Sequence, residues 1–294
     1  MPARIVLSAS RRTDIPAFYM EWFMERIHAG CFETVNPYNM RKTLVPATAG
    51  RVHSIVFWSK DFSRFIRGGY GEALISMGYR LFFNFTVNTE SEILEPRIPP
   101  LEDRLRQAEA LCGLHGPAAV TWRFDPVCFY TLADGSAGNN LEGFSEIARA
   151  MARIGISRCV TSFMDHYAKI KRRPAPYAQF RFLDPEMAVK INILRKLEAD
   201  LAPLSINLYT CCEKDVMAHL PASSAVQSGA CVSGPLLTEL FGPGISLKQD
   251  AGQRKRLGCG CTASTDIGIY QAQPCFHNCR FCYANPTDQR FSGT

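Results

Sequence analysis

The sequence predicts an α/β protein: a partial (β/α)6, TIM-like barrel carrying an irregular, cysteine-rich C-terminal segment. Three observations predict it. Six short β-rich runs each precede a helix-like stretch or open the tail, glycines stop four of those helices, and the alternation ends after Cys212. Strands alternating with helices of this length argue for βαβ units and a parallel sheet.

The first run, Arg4 to Ser10, leads into a helix over Pro16 to Ala29 that stops at Gly30. The second, His53 to Ser59, leads into Phe62 to Met77 and stops at Gly78. Leu81 to Asn88 is followed by Leu101 to Leu114 and Gly116, and Ala119 to Phe124 by Leu141 to Ile154 and Gly155. A glycine just past the last turn is the usual helix stop. Arg158 to Phe163 precedes the helix Pro185 to Leu201, where Met187, Val189, Ile191, Ile193, Leu194, Leu197 and Leu201 supply an apolar face that is not perfectly periodic. Ser205 to Thr210 is the sixth run. Strands covered on both faces read as nearly continuous apolar runs, and Ser54-Ile55-Val56-Phe57-Trp58 and Leu81-Phe82-Phe83-Asn84-Phe85 come close. Six such units suit either a doubly wound sheet or a partial barrel; the polar residues at the strand ends favour the barrel. The tail holds short helices at Asp215 to Leu220 and Leu236 to Phe241. The expected organisation is a barrel over residues 1–212 and a cluster-binding segment over 213–294, packed on the barrel mouth as one structural unit.

An apolar fraction of 47% and a charged fraction of 20% belong to an ordinary soluble globular chain. No apolar run approaches the ~18 residues of a membrane span, and the N-terminus enters a strand pattern without a signal-peptide core. A cytoplasmic protein is expected, in which twelve cysteines act as metal ligands or packing residues rather than as disulfides. The net charge of +6 permits an anionic substrate, nucleic acid included.

Parallel βα architectures bind ligands where the strands end. The first run ends in Arg11, Arg12, Thr13, Asp14 and Pro16. Asp14 and Pro16 suit a helix start, whereas paired arginines at a strand mouth are candidates for gripping a carboxylate or phosphate. Alternation turns Asn84, Thr86 and Asn88 away from Phe83 and Phe85. An inward polar row implies either a ligand cavity or a buried hydrogen-bond network. Arg123 and Asp125 share a strand face, as a structural ion pair or as a grip on a ribose or aminocarboxylate. The basic run Lys169, Lys171, Arg172 and Arg173 reads as a solvated loop or as a guide for an anion.

The strongest chemical signal is Cys275-Phe276-His277-Asn278-Cys279-Arg280-Phe281-Cys282, a C-x3-C-x2-C spacing. Three close thiolates suit a four-iron, four-sulfur (4Fe-4S) cluster that keeps one iron open, whereas structural zinc normally closes with four protein ligands. Zinc or plain packing are the alternatives. A second group, Cys211 or Cys212 with Cys231, Cys259 and Cys261, would complete a four-thiolate site for a second iron-sulfur cluster or a structural zinc. Cys31, Cys112, Cys128 and Cys159 read as packing residues.

The three-cysteine loop, with Phe281 before its last ligand, resembles that of radical S-adenosylmethionine (SAM) enzymes and of their spore photoproduct lyase-like members. Together with SASRRTDIP (Ser8 to Pro16), IVFWSK (Ile55 to Lys60), WRFDPV (Trp122 to Val127) and the tail from Gly252 to Ala284, it resembles a bacterial family described as domain of unknown function 1848. The resemblance implies a radical SAM enzyme in which Cys275, Cys279 and Cys282 hold the cluster, Phe281 lies near the adenine of SAM, and an electron donor such as flavodoxin or ferredoxin is the partner. Two features depart from the superfamily. The loop follows the last strand instead of the first, so the tail must fold back over the barrel mouth or the element order must be permuted. There is also no Gly-Gly-Glu after the second strand. Asn84, Thr86, Arg123 and Asp125, with Arg11 and Arg12, are the substitutes expected to hold SAM, and Cys128 or Tyr130 is a candidate hydrogen donor. The substrate is a small molecule or nucleic acid. Rival readings are a DNA-repair lyase of the same chemistry, a zinc-stabilised ligand-binding protein, and an iron-sulfur redox protein.

Overall fold

The computed structural model describes residues 3–35, 41–284 and 286–291. In chain order its strands are β1 (Ile5–Ala9), β2 (Cys31–Val35), β3 (Lys42–Pro46), β4 (Val52–Ser59), β5 (Leu81–Thr86), β6 (Val120–Val127) and β7 (Phe129–Thr131). There follow β8 (Ala137–Asn139), β9 (Arg158–Phe163), β10 (Phe182–Leu183), β11 (Asn207–Thr210), β12 (Gln227–Ser228) and β13 (Thr265–Asp266). The six expected strands are β1, β4, β5, β6, β9 and β11. They lie side by side in that order, every pair parallel. β12 extends the sheet beyond β11 and β13 extends it beyond β1, giving eight strands with two open edges. The fold is therefore mixed α/β around one large parallel sheet, and no barrel is closed.

Because the strand order never reverses, right-handed crossovers place the connecting helices on a single face. Leu7, Phe57, Phe83, Phe85, Trp122 and Leu208 point to that face and pack against Phe23, Leu111, Met151 and Leu194 of the helices. Phe57 and Phe83 stack at 5.8 Å, and Phe65 meets both edge-on at 5.0 and 5.6 Å. Each such fully buried ring contributes ~1.5–3 kcal/mol, so the helix-facing layer carries most of the apolar stabilisation.

The opposite face is covered by the tail. Val6, Val56, Phe82 and Val160 pack there against Val232, Leu237, Cys211, Cys231, Cys259 and Cys261. Ser233 caps the helix Gly234–Phe241 by accepting from Leu236 N. The end of this helix is tied to the strand starts: Arg4 N donates to Gly244 O at 2.8 Å and His53 Nε2 to Gly242 O at 2.8 Å. From there the chain reaches β13 at the far edge. Gly268 presses so closely on Ser10 that a Cβ would stand 2.2 Å from Ser10 Oγ.

Several expectations change. The expected stops Gly30, Gly78, Gly116 and Gly155 do adopt positive φ. The first helix, however, breaks at Tyr19 into Ile15–Phe18 and Met20–His28, and Tyr19 donates to Pro274 O at 2.6 Å. The second breaks at the Gly68-Gly69 pair into Ser63–Arg67 and Tyr70–Ser76, with Gly69 at φ +63°. The hairpin β2–β3, the small sheet β10-β7-β8 and the edge strands β12 and β13 were not foreseen. Most of these are two or three residues long, too short for a periodic signal. No helix among the described residues is long and apolar enough to cross a membrane.

Candidate metal centre and cavity

Seven of the eight parallel strands end at one cavity of about 450 Å³. Ser10 to Asp14 follow β1 into it, Trp58 to Lys60 end β4, Thr86 ends β5, and Arg123 and Asp125 come from β6. Ser162 and Phe163 end β9, Cys211 and Cys212 follow β11, and Asp266 ends β13. The three-cysteine loop closes one side, so Cys275, Cys279, Phe281 and Cys282 also line the cavity. The loop reaches this position because it leaves β13, which pairs with β1 at Leu7↔Thr265 and Ser8↔Asp266.

Asp266 secures that junction. It accepts from Ser10 Oγ at 2.6 Å, Arg11 N at 2.8 Å, Ser8 Oγ at 3.1 Å and Gly268 N at 3.1 Å. Asp14 secures the loop itself. Its carboxylate accepts from Ser59 Oγ at 2.7 Å, Lys60 N at 2.9 Å, Ala17 N at 3.0 Å and His277 Nε2 at 2.9 Å. Asp14 is thus the helix cap that its sequence context suggested, and also an anchor for the segment between Cys275 and Cys279. Phe18 packs on the same segment, with its ring 5.2 Å from Phe276 and 4.6 Å from His277.

On the other side of the loop, Arg173 donates to the carbonyls of Cys279 at 2.9 Å and Arg280 at 2.7 Å, and to that of Cys282. This corrects the reading of its basic run as a solvated loop. Lys171 and Arg172 are exposed, but Arg173 serves the cysteine loop. Arg254, in the tail, pairs with Asp165. The charge available to a nucleic acid is correspondingly reduced.

Lys60 lies against the loop. Its ammonium is 2.5 Å from Glu95 Oε1 and 5.2 Å from the centre of the Phe281 ring, with the two side chains only 16% and 4% exposed. Burial lowers the Lys60 pKa, but Glu95 and then Cys279 outweigh it and raise the ammonium above its ordinary value. Cys279 Sγ in turn lies 3.7 Å from Glu95 Oε1. Burial pushes the Cys275, Cys279 and Cys282 thiols up, so a metal binding there must displace protons. Lys60 stood in the sequence reading as a polar strand end without a role of its own, whereas Glu95 escaped it because it lies in an irregular loop.

The substituted SAM residues divide. Thr86, Arg123, Asp125, Arg11 and Arg12 line the cavity, but Asn84 does not. Asn84 Nδ2 donates to Cys231 O at 3.0 Å, and Asn88 exchanges hydrogen bonds with the Asp125 backbone. The inward polar row is therefore mostly a structural network. Arg123 is 2.5 Å from Asp125 Oδ2 and donates to Cys231 Sγ at 2.9 Å. The guanidinium groups of Arg11 and Arg123 lie 5.0 and 5.4 Å from the Trp58 ring. Cys128 and Tyr130 pack with Cys279 and Phe281 and do not line the cavity. Cys112 and Cys159 are buried packing residues, and Cys31 is partly buried.

Cys211, Cys212, Cys231, Cys259 and Cys261 come together on the cavity wall. Among the described residues, no group of three or more His, Cys, Asp or Glu side chains is arranged to hold a metal ion.

A family model described as "Domain of unknown function (DUF1848)" matches residues 6–284. No curated protein matches the chain. Similar solved structures include a Rhizobium etli pyruvate carboxylase crystallized without acetyl coenzyme-A, 9% identical, with a TM-score of 0.31 over 77% of this chain and 24% of that one. The carboxyl transferase domain of Rhizobium etli pyruvate carboxylase with 3-hydroxypyruvate is 10% identical, with a TM-score of 0.32 over 78% and 40%. The chain spans less than half of either, and likeness at this level carries no function across.

Proposed function

The chain belongs to the DUF1848 family, and on that premise we propose that it is a radical SAM enzyme built on a partial (β/α)6 barrel. The observation that carries the reading is the delivery of the C-x3-C-x2-C loop to the cavity where the parallel strands end. β13 stands beyond β1, so the loop leaves the sheet's first edge although it comes last in the chain. The element order is permuted, and the loop still arrives where a loop after a first strand would.

The residues fit a 4Fe-4S cluster. Cys275, Cys279 and Cys282 would hold it, each through a different iron, so they need not converge on one point. When bound, the cluster and SAM supply one-electron cleavage of the sulfonium and a carbon radical that takes hydrogen from the substrate. Flavodoxin or ferredoxin is the class of electron donor required.

The chain's own residues position and balance. Asp14 and Arg173 grip the loop from both sides, which keeps the three thiols in place. Lys60 balances the carboxylate of Glu95, which lies against Cys279, and so limits the negative charge that gathers there when the thiols ionise. Thr86, Asp125 and Arg123 offer a hydroxyl, an acceptor and a donor to the aminocarboxylate of SAM, and Phe281 offers an apolar ring to its adenine.

The test is iron and sulfide content of anaerobically purified protein, then low-temperature EPR of the reduced form with and without SAM. About four irons or more and a spectrum that shifts on adding SAM are expected. Zinc in place of iron, or a spectrum indifferent to SAM, would overturn the proposal.

A further inference from the structure

The second cysteine group has a geometry of its own. Cys211 Sγ lies 3.4 Å from Cys231 Sγ and 3.8 Å from Cys212 Sγ. Cys259 and Cys261 stand on the same cavity wall and couple electrostatically to Cys212 and Cys231. The five thiols form one ring-like group. They come from three separated stretches, brought together by the end of β11, the turn after β12 and the Cys259-Gly260-Cys261 pair.

Packing alone does not account for this ring. All five side chains line the cavity, although four of them also pack against the sheet. Cys212 adopts φ +65°, a left-handed backbone that costs a residue with a Cβ. In return, the adjacent Cys211 and Cys212 both join the ring. Among the described residues, the hydrogen bonds of these sulfurs involve no carboxylate or imidazole. Their neighbours are instead donors: Arg123 reaches Cys231 Sγ at 2.9 Å and Val232 N reaches Cys261 Sγ at 3.4 Å. Arg11 also stands over the Trp58 ring, at 5.0 Å, and is drawn electrostatically to Cys261. Two guanidinium groups and a backbone N–H suit a site that carries net negative charge from several thiolates. Soft all-sulfur donor sets with N–H···S bonds are the environment of iron-sulfur clusters.

We infer that four of the five thiols, Cys259 and Cys261 among them, hold a second iron-sulfur cluster that faces the same cavity as the three-cysteine loop. Metal binding here does not depend on the SAM reading. A structural zinc would use the same thiols, and the 3.4 and 3.8 Å sulfur spacings suit thiolates on one tetrahedral ion, so zinc in place of iron is the outcome that the metal analysis must separate from a cluster.

The experiment compares anaerobically purified wild type with two variants, C259A/C261A and C275A/C279A/C282A, for iron, sulfide and zinc per chain, with circular dichroism to check folding. Wild type should hold about eight irons if both clusters are cubanes. C259A/C261A should lose about half of them and keep its SAM-dependent EPR change, and the triple variant should keep about half and be indifferent to SAM. Full iron retention by C259A/C261A, or zinc in the triple variant, would overturn the second cluster while leaving the first intact. Iron in the triple variant alongside a SAM-indifferent wild type would support the second cluster and remove the SAM reading. If the variants do not fold, the wild-type count decides: about eight irons, with two signals in the reduced EPR spectrum, supports the second cluster, and about four with one signal overturns it.

Discussion

Replacing Asp14 tests whether one carboxylate joins the start of the sheet to the cysteine loop. Asp14 and His277 are 7% and 3% exposed, so whatever loses its partner there stays away from water. Asp14→Ala removes a helix cap, a loss of about 1 kcal/mol. It also strands two donors, Lys60 N and His277 Nε2, at about 1–3 kcal/mol each. Ser59 escapes because its hydroxyl also reaches Asp61 O at 2.8 Å. The sum is about 3–7 kcal/mol, a large share of the 5–15 kcal/mol that typically holds a domain together. Asp14→Asn should cost less, about 1–3 kcal/mol. It keeps one carbonyl oxygen, and His277 can switch tautomer to accept from the new amide. Equilibrium urea unfolding of the three proteins measures both differences. A loss under 1 kcal/mol for Asp14→Ala would refute the anchoring role, and so would equal losses for the two variants.

Lys60→Met should destabilise by about 3–5 kcal/mol because it leaves Glu95 buried without its cation. The double variant Lys60→Met, Glu95→Leu should lose less than the sum of the singles, and additivity in a urea double-mutant cycle would dissolve the pair. Arg173→Met should cost about 2 kcal/mol through its lost carbonyl contacts, read as a fall in thermal midpoint, and should speed limited proteolysis within the cysteine loop; unchanged cleavage there would count against it. Glu213 supplies a pH effect, since burial raises its pKa from 4.5 to about 7 while Phe163 N donates to it. The folded protein then binds more protons than the unfolded chain between those values, so stability falls as pH rises through that window. Glu213→Gln should remove this slope, worth about 3 kcal/mol, and an unchanged slope of unfolding free energy against pH would show that Glu213 ionises normally.

Much of this architecture was legible in the chain. The six strands begin and end within a few residues of the expected positions, because apolar runs and glycine stops are local signals. The cysteine spacing likewise singled out, without reference to the fold, the loop that the fold delivers to the cavity. Arg11, Arg12, Thr86, Arg123 and Asp125 were picked out as strand-end polar residues, and all five line the cavity.

Other features depend on contacts between distant residues, which no window of sequence contains. Asp14 meets His277 across 263 positions, and Arg173 meets the cysteine loop across more than 100. Asn84 has the same strand pattern as Thr86, yet it hydrogen-bonds to Cys231 while Thr86 opens on the cavity, because only the folded tail covers one and spares the other. The edge at which β13 docks decides where the three-cysteine loop lies, and a two-residue strand carries almost no sequence signal. Strand periodicity and ligand spacing follow from the covalent chain and its nearest neighbours; the side on which the tail closes the cavity, and the ring of five thiols it completes, follow from packing between segments that meet only in the folded state.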